Sequence, residues 1–237
     1  MKIALLGYGK MGKTIERLAL EKKHEIVLAA NQTPDTESLK QADVAIEFSV
    51  PEAAFDNITA CFQAGIPVVS GTTGWLSHYE EAINFCKKSN GSFIYASNFS
   101  IGVNLFFELN KKLAEMMCKQ SDYKVSIEEI HHTQKLDAPS GTAVSLAKDI
   151  IENSEYHQWQ LVDGNEVSDA KNTIPIVAKR IGDVKGTHIV SYESTIDTLS
   201  IKHEAHTRDG FALGAILAAE WLKGHKGIYT MKEVLGL

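Results

Sequence analysis

At 237 residues, 44% hydrophobic and 23% charged, the chain can bury one large core or two small ones. A formal net charge of −6 and the absence of any run of five like charges argue against nucleic acid or an anionic membrane surface as partner, so the expected ligand is a small molecule. Three well-separated cysteines, Cys61, Cys86 and Cys118, form no CxxC pair and indicate neither a disulfide framework nor a zinc site. The apolar start is cut at Gly7, too early for a secretory signal, and no stretch nears the ~20 residues of a membrane span, so a cytoplasmic location is expected.

The first hundred residues alternate short apolar runs with helix-period stretches, the pattern of βαβ units on a parallel sheet. Strands are expected at Lys2–Leu6, Glu25–Ala30, Val44–Phe48, Pro67–Ser70 and Ser92–Tyr95, with helices over Met11–Glu21, Pro51–Ala64 and Leu76–Lys88. Beyond Asn98 a long amphipathic stretch, Val103–Cys118, leads to a strand at Tyr123–Ile130 and a helix from about Ser140 to Glu152. Three strand-like runs follow, Thr173–Lys179, Gly186–Tyr192 and Thr198–His203, and their short connections imply a mostly antiparallel sheet with helices on one side. The polar segment Asn153–Lys171 reads as a loop, and Arg208–Leu222 as an apolar helix that returns to the first domain. The fold class is therefore α/β: a Rossmann-type parallel-sheet nucleotide domain plus a smaller α+β domain. The domains are expected at 1–101, rejoined by 207–237, and at 102–206, closing on a crevice about hinges near Ile101 and His206.

Gly7-Tyr8-Gly9-Lys10-Met11-Gly12 follows the first strand and opens the first helix, the context that gives a GxGxxG its meaning. Gly7 makes the turn, Gly9 admits a pyrophosphate, and Gly12 lets helix and strand pack closely, while the helix N-terminus faces the phosphate charge. At the end of the second strand, where NAD enzymes place a carboxylate on the ribose, stands Asn31. An amide bonds a hydroxyl without repelling a 2′-phosphate, and Lys10 offers that phosphate a cation, so both NADH and NADPH are expected to be accepted. Gly71-Thr72-Thr73-Gly74 and Ala96-Ser97-Asn98-Phe99 lie at strand carboxyl ends, where small residues and hydroxyls suit a nicotinamide and its ribose.

The segment from Glu128 to Ala143 carries the chemistry. A strand ends in His131 and His132, Lys135 follows, and a helix opens near Ser140-Gly141-Thr142. Either histidine can exchange the proton that accompanies hydride delivery, while Lys135 and the helix N–H groups at Gly141 and Thr142 can receive a carboxylate. Adjacent histidines do not share a face as HExxH ligands do, so no metal is expected.

The string His131-His132-x-x-Lys135-x-Asp137-Ala138-Pro139-Ser140-Gly141-Thr142-Ala143 resembles the signature of the dihydrodipicolinate (4-hydroxy-tetrahydrodipicolinate) reductase family. The glycine loop, Gly71 to Gly74, Asn98 to Asn104, Arg180 to His188, and Arg208 with Phe211 to Gly214 extend the likeness over essentially the whole chain. The resemblance implies His131 as general acid/base, Lys135 as a proton donor, and His132, Gly141 and Thr142 as substrate binders. It also implies coenzyme contacts from Ala96 to Phe99 and Gly71 to Thr73, and a homotetramer built through second-domain sheets. The implied reaction is NAD(P)H-dependent reduction of a cyclic dicarboxylate imine or enamine in lysine and diaminopimelate synthesis. Two departures stand out: Asn31 replaces the acidic residue often present, and the segment Asn31–Asp43 is short. The competing readings are a related two-domain reductase of another imine or keto acid, and a nucleotide-binding sensor without turnover.

Overall fold

The computed structural model describes residues 1–163, 172–207 and 209–237. In chain order these form β1 (Lys2–Leu6), α1 (Lys10–Glu21), β2 (Glu25–Ala30), α2 (Thr36–Leu39), β3 (Val44–Glu47), α3 (Pro51–Ala64) and β4 (Val68–Ser70). A 3-10 turn at Leu76–His78 leads into α4 (Tyr79–Lys88), β5 (Ser92–Tyr95), α5 (Ile101–Met117), β6 (Lys124–His131) and α6 (Gly141–Glu152). Then come β7 (Gln158–Val162), β8 (Thr173–Arg180), β9 (Thr187–Glu193), β10 (Thr198–Glu204), α7 (Asp209–Leu222), β11 (Gly227–Tyr229) and α8 (Met231–Leu235). The chain divides into two units, Met1–Asn104 with Asp209–Leu237, and Leu105–Arg208.

In the first unit six parallel strands run in the order β11-β5-β4-β3-β1-β2. Strand alternation explains the layering. Ile3 and Leu5 of β1 point to one face, where Ile15 of α1, Ala215 and Ile216 of α7 and Met231 of α8 cover them; Ala4 and Leu6 point to the other, against Ile58 and Phe62 of α3 and Ile83 of α4. Helix ends follow local chemistry. Pro51 opens α3 and Gly65 closes it at φ 73, while Glu80, Glu81, Lys87 and Lys88 place charges on α4 to suit its dipole. Because β1 lies between β2 and β3, the order reverses there, and ligands of such sheets gather beyond the strand carboxyl ends at that point.

In the second unit the order is β10-β9-β6-β8-β7. Pairings β10 with β9 and β9 with β6 are antiparallel, but β6 with β8 and β8 with β7 are parallel, so the sheet is mixed rather than mostly antiparallel. The cause is connectivity: α6 separates β6 from β7, so the chain crosses over and re-enters in the same direction. Strand β7 also corrects the reading of 153–171 as a loop; the part of that reading over residues 164–171, and Arg208, lie outside the described residues. Phe106 and Leu113 of α5 and Leu146 and Ile150 of α6 pack with Ile127, Ile176 and Val190 on one face of this sheet.

Candidate active site

Four loops at strand carboxyl ends meet around Phe48. A β-carbon on Gly7 would stand 2.1 Å from the Phe48 carbonyl oxygen, one on Gly71 would stand 2.3 Å from its ring, and the Phe99 ring lies 5.7 Å from that of Phe48. Gly12 is equally constrained, since its β-carbon would meet the Gly7 oxygen at 2.3 Å. At Gly9, by contrast, nothing lies within 4 Å, and this N-cap residue gives the helix no side-chain cap. The leading N–H groups of α1, beside Lys10 and Met11, thus face open space, which fits a pyrophosphate. The Tyr8 hydroxyl bonds Glu16, and the Tyr8 N–H donates to Asn31 Oδ1 at 2.8 Å.

Glu47, at the end of β3 and wholly buried, organises the neighbouring loops. Its carboxylate accepts from Ser49 N–H (2.9 Å), Ser70 Oγ (2.6 Å) and Thr72 Oγ1 (2.7 Å). Thr72 is therefore a buried tie rather than an exposed hydroxyl, whereas Thr73 and Ser97 are exposed. In the Ala96–Phe99 loop, Ala96 N–H bonds the Ser70 oxygen, Asn98 Oδ1 accepts Ser100 N–H, and Phe99 is buried against α7.

In the second unit, alternation along β6 turns Val125, Ile127, Glu129 and His131 inward. Glu129 is fully buried: Ser140 N–H reaches both its oxygens (3.1 and 3.0 Å), Arg180 Nη2 lies 3.1 Å from Oε1, and His131 Nδ1 lies 3.4 Å from Oε2. His188 of β9 stacks edge-on to His131 and its Nε2 meets Ser140 Oγ at 3.1 Å. Burial holds the His131 imidazole below its ordinary value, with Glu129 opposing and Lys135 and Arg180 adding to the fall. Burial, then the neighbouring His131, His203 and Lys135, pushes His188 down to about 3, so it stays neutral.

Lys135 is gripped by both oxygens of Asp137, at 2.7 and 2.8 Å, which holds that carboxyl below its usual range. Arg180 ties the same loop down, donating to the carbonyl oxygens of Asp137 (2.6 Å) and Lys135 (3.3 Å). Ser140 caps α6 by accepting Ala143 N–H, leaving the N–H groups of Gly141 and Thr142 without partners inside the helix, and nothing lies within 4 Å of a β-carbon on Gly141. His132 is half-buried at the strand end. Ligand atoms of Glu129, His131 and His188 lie within 4.8 Å of one another, but the carboxylate already serves a guanidinium and a helix N-terminus, so a cation there would meet Arg180.

A family model described as dihydrodipicolinate reductase, N-terminus, matches residues 1–99, and one described as dihydrodipicolinate reductase, C-terminus, matches residues 102–235. This chain belongs to the dihydrodipicolinate reductase family. A 4-hydroxy-tetrahydrodipicolinate reductase of Christiangramia forsetii is 57% identical over 99% of this chain and 98% of its own length. One from Methanoregula boonei is 31% identical over 100% of this chain and 98% of its own. The solved dipicolinate-bound dihydrodipicolinate reductase of Paenisporosarcina sp. TG-14 shares the fold, with a TM-score of 0.77 at 24% identity and 97% coverage of both chains.

In this dihydrodipicolinate reductase fold, β6, the loop after it and α6 bring His131, Lys135, Gly141 and Thr142 to one end of the second sheet, and the first sheet gathers the glycine loop with Gly71–Thr73 and Ala96–Phe99. Reasoning from the sequence assigned no role to Glu47, Glu129, Arg180 or His188. A signal for Glu129 was present: counting by two from Ile127 turns it inward, and an inward carboxylate must find partners.

Proposed function

We propose that this chain catalyses the NAD(P)H-dependent reduction of 4-hydroxy-tetrahydrodipicolinate, by way of dihydrodipicolinate, to tetrahydrodipicolinate in lysine and diaminopimelate synthesis. The observation that carries it is the 57% identity to a reductase of that name across both chains, with His131, Lys135 and the α6 N-terminus assembled around one strand end. Residues 1–101 with 207–237 hold the coenzyme and residues 102–206 the substrate. Gly7 to Gly12, Asn31, Gly71 to Thr73 and Ala96 to Phe99 are the coenzyme contacts.

When bound, the reduced nicotinamide supplies a hydride, which goes to ring carbon C4. Charge then gathers at C3 and must be quenched by a proton, which His131 manages; its buried position beside Glu129 supports that role. Lys135, released from Asp137, and the N–H groups of Gly141 and Thr142 hold one carboxylate, with His132 beside them. Fixing that carboxylate orients the ring as well as neutralising its charge. Loss of His131 costs about 3 to 5 kcal/mol of barrier, the equivalent of ~10²–10⁴ in rate.

Both NADH and NADPH serve. With its oxygen engaged by Tyr8, Asn31 presents amide protons, which bond a ribose hydroxyl or a 2′-phosphate alike. The protein acts as a homotetramer in the cytoplasm. In support of the assembly, the face of the second sheet opposite α5 and α6 carries an open groove of about 860 Å³ lined by Ser126, Glu128, Val177 and Ser191. No helix among the described residues is long and apolar enough to cross a membrane.

The test is loss of reduced-nicotinamide absorbance with substrate made in situ, NADH and NADPH in parallel, and His131→Gln as control. Oxidation that the variant abolishes supports reaction and residue together. No oxidation by folded, nucleotide-binding protein would favour a reductase of another imine or keto acid, or a sensor.

A further inference from the structure

We infer that Glu129 is a positioning residue, which fixes the ring tautomer of His131 with one carboxylate oxygen and, through Arg180, anchors the Lys135 loop with the other. This rests on the reading of His131 as the group that manages the proton.

The argument starts from cost. An ionised carboxylate with no exposed surface is tolerated only where partners replace its water, and Glu129 collects them from three elements. Oε1 takes Arg180 Nη2, both oxygens take the Ser140 N–H ahead of α6, and Oε2 is left nearest His131 Nδ1 at 3.4 Å. A simpler strand would place an apolar residue here, as it does at Val125 and Ile127 on the same face. The two oxygens therefore serve different ends.

Beside Oε2, the Nδ1–H form of the neutral His131 ring is favoured, since an anion next to a lone pair is repelled and next to an N–H is attracted. Proton exchange is thereby assigned to Nε2. That atom faces Gly186, where a β-carbon would come within 3.2 Å, so the glycine keeps the approach clear. Around the ring stand Glu129 from its own strand, Lys135 and Asp137 from the loop, Arg180 from β8 and His188 from β9. Burial and the two cations disfavour imidazolium, and Glu129 and Asp137 oppose them, Glu129 the more strongly. Neutral His188, bonded to Ser140, adds no third cation.

Arg180 carries the other half. The guanidinium that Glu129 holds also donates to the carbonyl oxygens of Asp137 and Lys135, so the loop bearing the substrate-binding cation is fastened to the same carboxylate that sets the imidazole. One buried group thus registers both against α6.

The experiment is a pH titration of ¹⁵N-imidazole-labelled wild type and Glu129→Gln followed by NMR, alongside the pH dependence of kcat for both. The amide keeps the shape and an acceptor but removes the charge. Expected is an Nδ1-protonated neutral ring at His131 in the wild type. In the variant its titration midpoint falls by about one pH unit or more, and the high-pH limb of kcat moves down by the same amount. At neutral pH kcat drops about 10- to 100-fold, while coenzyme KM is unchanged. A wild-type ring protonated at Nε2, or a midpoint that does not move in folded variant, would overturn the inference. If the variant fails to fold, the wild-type tautomer decides alone. An active wild type failing these tests would sink the inference only; a wild type without turnover would sink the functional reading and the inference together.

Discussion

Oδ1 of Asn31 accepts the backbone N–H of Tyr8 at 2.8 Å, tying the end of β2 to the glycine turn after β1. Asn31→Asp keeps that acceptor and exchanges the outward amide for a second anionic oxygen. The KM for NADPH is expected to rise about tenfold or more, ~1.4 kcal/mol, with kcat/KM for NADH within about twofold of wild type. Parallel steady-state kinetics check it; equal losses with both coenzymes would show that the residue does not discriminate.

Gly214 lets α7 lie directly against the loop before α5, since a β-carbon there would stand 1.7 Å from the Phe99 oxygen. Gly214→Ala must push the Ala96–Phe99 loop away. We expect a loss of about 1–3 kcal/mol in guanidinium unfolding, accompanied by weaker NADH binding in a fluorescence titration. Unchanged coenzyme affinity would detach that loop from the coenzyme site.

Lys135→Met retains the stem and removes the charge. Charge-assisted bonds to a carboxylate contribute about 1.5–3 kcal/mol, so kcat/KM for the dicarboxylate should fall roughly 10- to 100-fold. The dissociation constant for NADH should not change, and calorimetry on the free protein reads it independently of turnover.

The sign of the acid response follows from His188. Its folded value of about 3 lies below the ordinary 6.5, so the unfolded chain takes up the proton first. Its contribution is fully present above 6.5 and is lost as pH falls from there toward 3, at up to ~1.4 kcal/mol per pH unit. His131 and His203, also lowered by burial, act in the same direction. Denaturant midpoints measured between about pH 4 and 6 should decline, and His188→Asn should flatten that decline. An equal slope in the variant would assign the acid lability to other groups.

Where local rules act alone, the sequence was readable. The short apolar runs of β1, β3, β4 and β5, nearly all buried because helices cover both faces of the sheet, and the 3.6-period faces of α1 and α3 follow from which side chains must be buried, and the GxGxxG turn follows from where β-carbons cannot fit. What was missed depends on distant partners. β7 is a short edge strand: Gln158-Trp159-Gln160-Leu161 does alternate, but the run is brief and sits in a polar stretch, and its pairing with β8 is what secures it as a strand. The parallel run of β8 beside β6 comes from a crossover that no dipeptide announces. α8 did carry a local mark, the capping box of Thr230 and Glu233. Arg180 and His188 reach Glu129 across strand pairings 51 and 59 positions apart, so adjacency along the chain could not reveal them.

The first unit's sheet is completed by β11, and its Phe99 loop rests on Gly214 of α7, yet both elements follow the whole of the second unit in the chain. A ribosome therefore synthesises the whole inserted unit before it makes the residues that finish the one around it. Folding during synthesis must proceed from the inside of the gene outward: the second unit's sheet can close early, whereas the first unit waits with an open flank until α7 and β11 emerge. A chain interrupted before Asp209 would leave that flank bare, with β5 as an unpaired edge strand available to other nascent chains.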